Sequence, residues 1–127
     1  MRLLLDTHAL IWWWLEDAKL SRKAHAAIVG DNEIFVSPVS AFEIALKVRT
    51  GKLPTMIEPL DQFADATSGD GMAHIPVHHE HAKRAGLLAG NRRDPFDRLI
   101  AAQGLIEDMT IITRDAEFAA FGCKTLW

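Results

Sequence analysis

Short apolar runs alternate along the chain with longer segments of helical periodicity. Residues 3–5, 34–36 and 110–113 have the length and the Leu, Ile, Val and Thr content of strands in a parallel sheet. Residues 73–77 form a weaker run that Pro76 confines to an edge position, and residues 124–127 can add a final edge strand. The alternation predicts an α/β fold with a mostly parallel sheet of four to five strands, flanked by helices.

Start signals locate the helices between these strands. Ser37-Pro38 and Asp94-Pro95 each place a capping side chain before a proline at the first helical position, where no amide donor is needed. Ser21 is a further cap. The predicted helices cover residues 9–15, 22–29, 38–50, a segment around 60–64, 80–88, 95–106 and 117–121.

Composition narrows the class of protein. A chain of 127 residues with 49% hydrophobic and 24% charged residues suits one globular domain over residues 1–127. The single Cys123 excludes an internal disulfide and fits a reducing cytoplasm. No apolar run is long enough to span a bilayer and no signal segment opens the chain, so we expect a cytoplasmic protein without a membrane partner. The net charge of −3 argues against general nucleic-acid coating but permits a local basic patch.

Four carboxylates stand where a parallel sheet binds ligands. Asp6 and Asp115 directly follow strands, whereas Glu43 and Asp97 lie near helix starts. Because ligands bind beyond the carboxyl ends of parallel strands, all four can meet at one edge of the sheet. Asp97 is the least expected, since it lies one turn inside a helix with apolar neighbours on nearly every side.

Each carboxylate also has a structural explanation. Asp6 and Asp115 can cap the helices that follow them, and Asp97 can complement a helix dipole. Glu43 can complete a capping box with Ser40 or pair with Lys47. The stronger start signal at Ser37-Pro38 puts Glu43 beyond the capping positions and weakens the first of these two explanations.

Four clustered carboxylates need a compensating positive charge. Mg²⁺ suits them, because it prefers hard oxygen ligands and typically takes one or two protein carboxylates together with a substrate phosphate. Zinc fits poorly, since no histidine is paired with the single cysteine, and the sequence His78-His79-x-His81 predicts a solvated helix start rather than a ligand set.

Four blocks of sequence, taken together and in order, resemble the VapC-type toxins among the PIN-domain ribonucleases. The blocks are Leu5-Asp6-Thr7-His8, then Ser37-Pro38-Val39-Ser40-Ala41-Phe42-Glu43-Ile44 with Lys47 and Gly51-Lys52-Leu53, then Arg93-Asp94-Pro95-Phe96-Asp97-Arg98-Leu99-Ile100-Ala101-Ala102-Gln103, and Ile112-Thr113-Arg114-Asp115. The resemblance covers essentially the whole chain. It is the combination of blocks that makes it specific.

The resemblance implies a three-layer PIN-like fold and a Mg²⁺- or Mn²⁺-dependent RNA endonuclease, the toxin of a VapBC-type toxin–antitoxin pair. It implies a VapB-like antitoxin as partner and a homodimeric toxin. Asp6, Glu43, Asp97 and Asp115 match the acidic quartet of the family, as catalytic residues and metal ligands. Asp94 matches an acid of the Asp-Pro-Phe-Asp subset and is a candidate further ligand, although its sequence position favours helix capping.

Basic and aromatic residues suggest where RNA and a partner bind. Metal-activated water needs no side-chain nucleophile, but the phosphate backbone needs cations nearby. The candidate phosphate contacts are Lys47, Arg49, Lys52, Arg92, Arg93 and Arg98. Trp12, Trp13 and Trp14 cannot all face one core, because successive helical residues point about 100° apart. At least one should therefore reach a surface groove that a partner can cover.

Two other functions remain open at this point. An apolar strand ending in Asp6 can present a nucleophile for aspartyl-phosphate chemistry, but the second aspartate expected two residues later is replaced by His8. Alternatively, the fold can serve as a catalytically weak binding module whose carboxylates are only helix caps. Metal titration separates this second alternative from a nuclease.

Overall fold

A computed structural model describes residues 1–90 and 93–127, and a five-stranded parallel sheet lies at its centre. The strands are β1 (Arg2–Leu5), β2 (Glu33–Val36), β3 (Met72–His74), β4 (Thr110–Ile112) and β5 (Thr125–Leu126). Their order in the sheet is β3-β2-β1-β4-β5. In the central strand β1, Leu4 pairs with Phe35 of β2 on one side and with Ile111 of β4 on the other. The predicted edge strands are confirmed at the two ends of this order.

Helices cover both faces of the sheet. They are α1 (Thr7–Trp14), α2 (Arg22–Val29), α3 (Pro38–Arg49), α4 (Ile57–Asp61), α5 (Phe63–Gly69), α6 (His79–Leu87), α7 (Pro95–Glu107) and α8 (Glu117–Ala120), with a 3₁₀ turn at Pro54–Met56. The predicted segment around residues 60–64 is two short helices that meet at Gln62. Within residues 1–90 and 93–127, no helix combines the length and apolar character needed to cross a membrane.

The alternation of side chains along β1 divides the core in two. Leu3 and Leu5 point to a cluster with residues of α1, α2 and α3, whereas Leu4 points to a cluster with residues of α7 and α8. Helix α6 packs on α7. All three leucines are fully buried, which explains why β1 is a continuous apolar run. The predicted three-layer arrangement is confirmed.

The expectation for the histidines after β3 is only partly right. Helix α6 does begin there, and His78 and His79 are exposed. His81 is not solvated but fully buried. Its Nδ1 accepts the amide of His78, and its Nε2 lies 3.0 Å from Glu107 Oε1 on α7. These two contacts turn the ring inward, so that it closes the first turn of α6 and joins α6 to α7.

Three parallel strands end at the same edge of the sheet, and this edge positions the candidate site. Asp6 follows β1, Ser37 follows β2 and Thr113 follows β4. Ser37 caps α3 through its bond with the amide of Val39, as predicted. Inside the fold, Thr7 Oγ1 and Ser40 Oγ lie 3.0 Å apart, which fixes the start of α1 against α3.

Candidate active site

Asp6 is held at the end of β1 by neutral hydrogen-bond donors. Its Oδ1 accepts the amide of Ala9 at 2.7 Å and so caps α1, which begins at Thr7, two residues earlier than predicted. Its Oδ2 accepts the hydroxyl of Thr113 at 2.5 Å. The residue is only 4% exposed. The capping explanation for Asp6 is therefore correct, but it accounts for only one of the two oxygens.

Burial raises the pKa of the Asp6 carboxyl, and the negative charge of Asp115 adds to this effect. The hydrogen bonds from Thr113 and Ala9, together with His8, act in the opposite direction without cancelling the burial. Ionising Asp6 is therefore costly in the protein alone. A cation beside it would favour the ionised form.

Asp115 follows β4 and faces the same cavity as Asp6. Its Oδ1 accepts the amide of Glu117, so it also caps the helix after it, as one alternative predicted. The cavity has a volume of about 260 Å³ and is lined by Asp6, His8, Trp12, Arg114 and Asp115. The structure thus brings together the two carboxylates that follow β1 and β4.

Glu43 lies on the second turn of α3 and is 6% exposed. Its Oε2 lies 3.3 Å from the ammonium of Lys47, one turn later on the helix. Its Oε1 is buried and has no hydrogen-bond partner in the described structure. The capping box with Ser40 is wrong, because Ser37 caps α3 and the Ser40 hydroxyl is directed to Thr7. The pair with Lys47 is confirmed, but with Glu43 buried rather than on the surface.

A second cavity, of about 570 Å³, joins Glu43 to Asp94. Lys47 and Lys52 also line it, as does His8, which borders the Asp6–Asp115 cavity as well. Asp94 Oδ1 accepts the amides of Phe96 and Asp97 at 2.9 and 3.4 Å, so the predicted cap of α7 is confirmed. Asp97 itself is 6% exposed and lies in the first turn of α7.

The acids line two adjoining cavities. Asp6 and Asp115 line one, Glu43 and Asp94 line the other, and His8 borders both. Among residues 1–90 and 93–127, no three His, Cys, Asp or Glu side chains are grouped so that they could hold a metal ion. The donor chemistry nevertheless fits a divalent cation, since the acids offer hard oxygens and Glu43 Oε1 is buried without a donor.

The candidate RNA contacts differ in their surroundings. Lys47 and Lys52 line the Glu43–Asp94 cavity, and Arg49 and Arg93 are exposed. Arg92 lies outside the described residues. The guanidinium of Arg98 donates to the carbonyls of Ala85, Gly86 and Leu88 at the end of α6. These bonds give Arg98 a structural role in joining α6 to α7, and its contact with RNA stays a prediction.

The three tryptophans of α1 are all half-buried and line a groove of about 600 Å³. The indoles of Trp13 and Trp14 both donate to Asp70 Oδ2, at 3.0 and 3.2 Å. The other lining residues of this tryptophan groove are Glu16, Asp17, Leu20, Arg22 and His25. The expectation that at least one tryptophan reaches a surface groove is thus met by all three.

Sequence reasoning missed the residues that support the carboxylates. Thr113 donates to Asp6 and accepts the amide of Asp115 at 3.0 Å, so one hydroxyl orients both acids. His8 separates the two cavities, and its Nε2 lies 3.5 Å from Lys47 Nζ. Each lies two residues from a predicted acid in the sequence, His8 after Asp6 and Thr113 before Asp115, and that proximity was the available signal.

Comparisons with known proteins agree with this architecture. The PIN domain family model matches residues 3–122. Ribonuclease VapC22 of Mycobacterium tuberculosis (strain ATCC 25618 / H37Rv) is 30% identical over 115 residues, which are 88% of this chain and 85% of that protein.

Solved structures with the same fold include VapBC2 from Rickettsia felis bound to a DNA fragment from its promoter (TM-score 0.67, 17% identity, 99% of this chain and 98% of that chain). VapBC-1 from nontypeable Haemophilus influenzae gives a TM-score of 0.68 at 15% identity, over 99% and 97% of the two chains. FitAcB from Neisseria gonorrhoeae gives 0.61 at 19% identity, over 98% and 96%. By the extent of the family match and the identity to its relative, this chain belongs to the PIN domain family and is of the VapC type.

Proposed function

We propose that this protein is a metal-dependent RNA endonuclease that acts as the toxin of a VapBC-type pair. One observation carries the proposal: Asp6 is a buried carboxylate at the end of the central strand, faces Asp115 across a cavity, and has a raised pKa. A carboxylate that serves only as a cap has no need of a second acid in its cavity. The relation to a VapC ribonuclease supplies the reaction class.

The ligands of the cation would come from the acidic quartet. Asp6 and Asp115 would hold it from the ends of β1 and β4, with Glu43 and Asp97 from α3 and α7, and Asp94 is a candidate further ligand. Mg²⁺ is the expected ion and Mn²⁺ the expected substitute. When bound, such an ion lowers the pKa of a water molecule and stabilises charge on the phosphate oxygens. Glu43 Oε1 supports this assignment, because it is buried and has no hydrogen-bond partner among the described residues.

The protein's own residues orient the acids and attract the substrate. Thr113 has a single hydroxyl proton, which it gives to Asp6, and its oxygen receives the amide of Asp115. This arrangement fixes the rotamer of Asp6 relative to Asp115. Lys47, which is paired with Glu43, and the exposed Lys52 bring two ammonium groups to the wall of the Glu43–Asp94 cavity, where an RNA phosphate can bind.

The partner would be a VapB-like antitoxin that covers the tryptophan groove. Three half-buried indoles and Leu20 give the groove an apolar floor, and large aromatic side chains of this kind are the usual anchors of protein interfaces. The related VapBC2 and VapBC-1 structures bear the names of toxin–antitoxin pairs. We also propose that the toxin is a homodimer, on the family resemblance alone.

The test is cleavage of total RNA by the purified protein with Mg²⁺ and with EDTA, followed by sequencing of the new ends. We expect defined ends that require Mg²⁺ and disappear in the Asp6→Asn variant. Antitoxin binding by a protein that yields no new ends, and whose melting temperature does not respond to Mg²⁺ or Mn²⁺, would favour the binding-module alternative.

A further inference from the structure

Arg114 lies in the sequence between Thr113 and Asp115, two residues of the candidate site. Its side chain lines the Asp6–Asp115 cavity. Its guanidinium carbon lies 4.6 Å from the centroid of the Trp12 ring. That distance is well inside the range of a cation–π contact.

Trp12 is itself fixed by neighbours on several sides. Its ring meets Trp127 edge-on at 5.8 Å between centroids, and the ring of His8 lies 5.6 Å away. Trp12 also packs on the core cluster beneath α1. Because Arg114 is stacked on an indole that is itself held in place, its side chain has already lost much of its rotamer freedom. Binding a ligand would therefore cost Arg114 little further conformational entropy.

The charges around this cavity show what Arg114 is available to do. Asp6 and Asp115 line the cavity with it, yet among the described residues Arg114 forms no salt bridge with any carboxylate. Lys47 lines the adjoining cavity and is paired with Glu43 at 3.3 Å. Arg114 is thus the cation that the described part of the chain places on the wall of the Asp6–Asp115 cavity.

We propose that Arg114 binds a phosphate of the RNA that enters the Asp6–Asp115 cavity, and that Trp12 is the positioning residue that holds it there. The inference rests on the proposed endonuclease function. A phosphate that approaches two carboxylates meets repulsion unless a positive group lies beside them. The guanidinium suits this task, because its planar donors match two phosphate oxygens at once and it remains charged at any physiological pH.

The experiment measures RNA binding without cleavage. A fluorescein-labelled single-stranded RNA is titrated with wild-type protein in EDTA at several salt concentrations. For Arg114→Ala we expect about tenfold weaker binding, in line with the loss of one charged hydrogen-bonded contact. The slope of log K against log salt should fall by about 0.7, the value for one phosphate contact on a single strand. Arg114→Lys should restore the slope and part of the affinity.

Arg2→Ala is the matched control. Arg2 is also an exposed arginine over an aromatic ring, with 5.4 Å to the centroid of Phe35, but it lies at the opposite edge of the sheet. Its loss should leave both the affinity and the salt slope unchanged. Thermal melts in EDTA establish that every variant is folded.

The role of Trp12 is tested by pairing it with Arg114. Trp12→Leu should weaken RNA binding as Arg114→Ala does, Trp12→Phe should retain most of it, and the Trp12→Leu/Arg114→Ala double variant should be no weaker than either single variant. Wild-type affinity in Arg114→Ala would overturn the inference while Mg²⁺-dependent cleavage still stood. Additive losses in the double variant would also overturn it, because Trp12 would then act independently of Arg114. A wild-type protein that neither binds nor cleaves RNA would overturn the inference and the proposed function together.

Discussion

Asp6 and Glu43 are buried to nearly the same extent at the same edge of the sheet, but their negative charges are compensated differently. Asp6 is 4% exposed and Glu43 6%. Asp6 receives a hydroxyl and an amide and makes no salt bridge with a described residue. Glu43 has the ammonium of Lys47 at 3.3 Å but leaves Oε1 without a hydrogen-bond donor.

The two acids therefore differ in whether a described side chain of the protein compensates their negative charge with a positive one. Neutral donors orient Asp6 but do not offset its desolvation, so its pKa is raised and it gains from an added cation or proton. Glu43 instead has a positive partner within the protein, the ammonium of Lys47, at one of its two oxygens. Neutralising the Asp6 carboxyl should therefore stabilise the metal-free protein. Removing the ammonium of Lys47 should destabilise it.

The largest expected effect is on catalysis. Asp6→Asn keeps the size of the side chain and one acceptor oxygen, which can retain the bond from the Ala9 amide, while the new NH2 group faces the hydroxyl oxygen of Thr113. It removes the charge proposed to hold the cation. We expect RNA cleavage to fall by at least about 100-fold, the upper end of what the loss of an outer-shell partner costs a metal site. Asp97→Asn should cause a similar loss. Single-turnover cleavage of a labelled RNA measures both, and activity within a few-fold of wild type in either variant would remove that residue from the proposed quartet.

The next effect concerns Lys47. Lys47→Met keeps an apolar stem but leaves the buried carboxylate of Glu43 without its cation. We expect a loss of about 1–3 kcal/mol in the free energy of unfolding, the cost of an unsatisfied buried polar group. This is less than for a fully buried ion pair, because the side chain of Lys47 is 28% exposed. Urea unfolding in EDTA provides the measurement.

Two further variants check this interpretation. Glu43→Gln added to Lys47→Met should recover most of the loss, because the stranded charge is then gone. Lys52→Met removes an exposed cation from the same cavity and should change stability by less than about 0.5 kcal/mol. If Lys52→Met destabilised the protein as much as Lys47→Met does, stability would depend on the total positive charge around the cavity rather than on the Lys47–Glu43 contact.

A pH series tests the other half of the comparison. The raised pKa of Asp6 means that the folded state binds its proton more tightly than the unfolded chain does, whose ordinary value is 3.8. Wild-type protein in EDTA should therefore lose stability relative to Asp6→Asn as the pH rises from about 3.8 through the raised folded pKa. Above this window the difference should be constant. A difference that shrinks with rising pH would contradict the assigned direction.

Mg²⁺ should offset the lower stability of the wild-type protein relative to Asp6→Asn. A cation that binds only the native state stabilises it by about 2.7 kcal/mol at a hundredfold excess over its dissociation constant. We expect Mg²⁺ or Mn²⁺ to raise the melting temperature of wild type clearly and that of Asp6→Asn much less. Equal increases in the two proteins would place the cation elsewhere.

The parts of the fold that follow local signals could be predicted from the sequence. Ser37-Pro38 and Asp94-Pro95 begin α3 and α7 as expected, because a cap and a fixed φ angle depend only on neighbouring residues. The strands were found because burial on both faces makes them continuously apolar. The rule that ligands bind beyond the carboxyl ends of parallel strands predicted all four acids at one edge of the sheet, and of these Asp6 and Asp115 line the same cavity.

Contacts between distant parts of the chain could not be predicted in the same way. Thr113 meets Asp6 only because β4 lies beside β1, and Asp70 meets the indoles of Trp13 and Trp14 more than fifty residues away. The sequence predicts Arg98 as a phosphate contact because it follows Asp97 directly, but in the folded chain its side chain donates to the carbonyl of Ala85 on α6. Such contacts depend on tertiary packing, for which periodicity gives no signal.

The smallest expected effect distinguishes a cap from a ligand at Asp94. Asparagine caps a helix about as well as aspartate, so Asp94→Asn should lose only the charge at the start of α7, which is worth about 0.3–1 kcal/mol. Because that term comes from the helix and not from a cation, it should be the same in EDTA and in Mn²⁺. Cleavage by Asp94→Asn should stay within a few-fold of wild type, whereas Asp97→Asn, one turn further along α7, should lose most of it. An Mn²⁺-dependent stability change at Asp94 equal to that at Asp97 would instead make Asp94 a ligand, and the cation would then extend into the Glu43–Asp94 cavity.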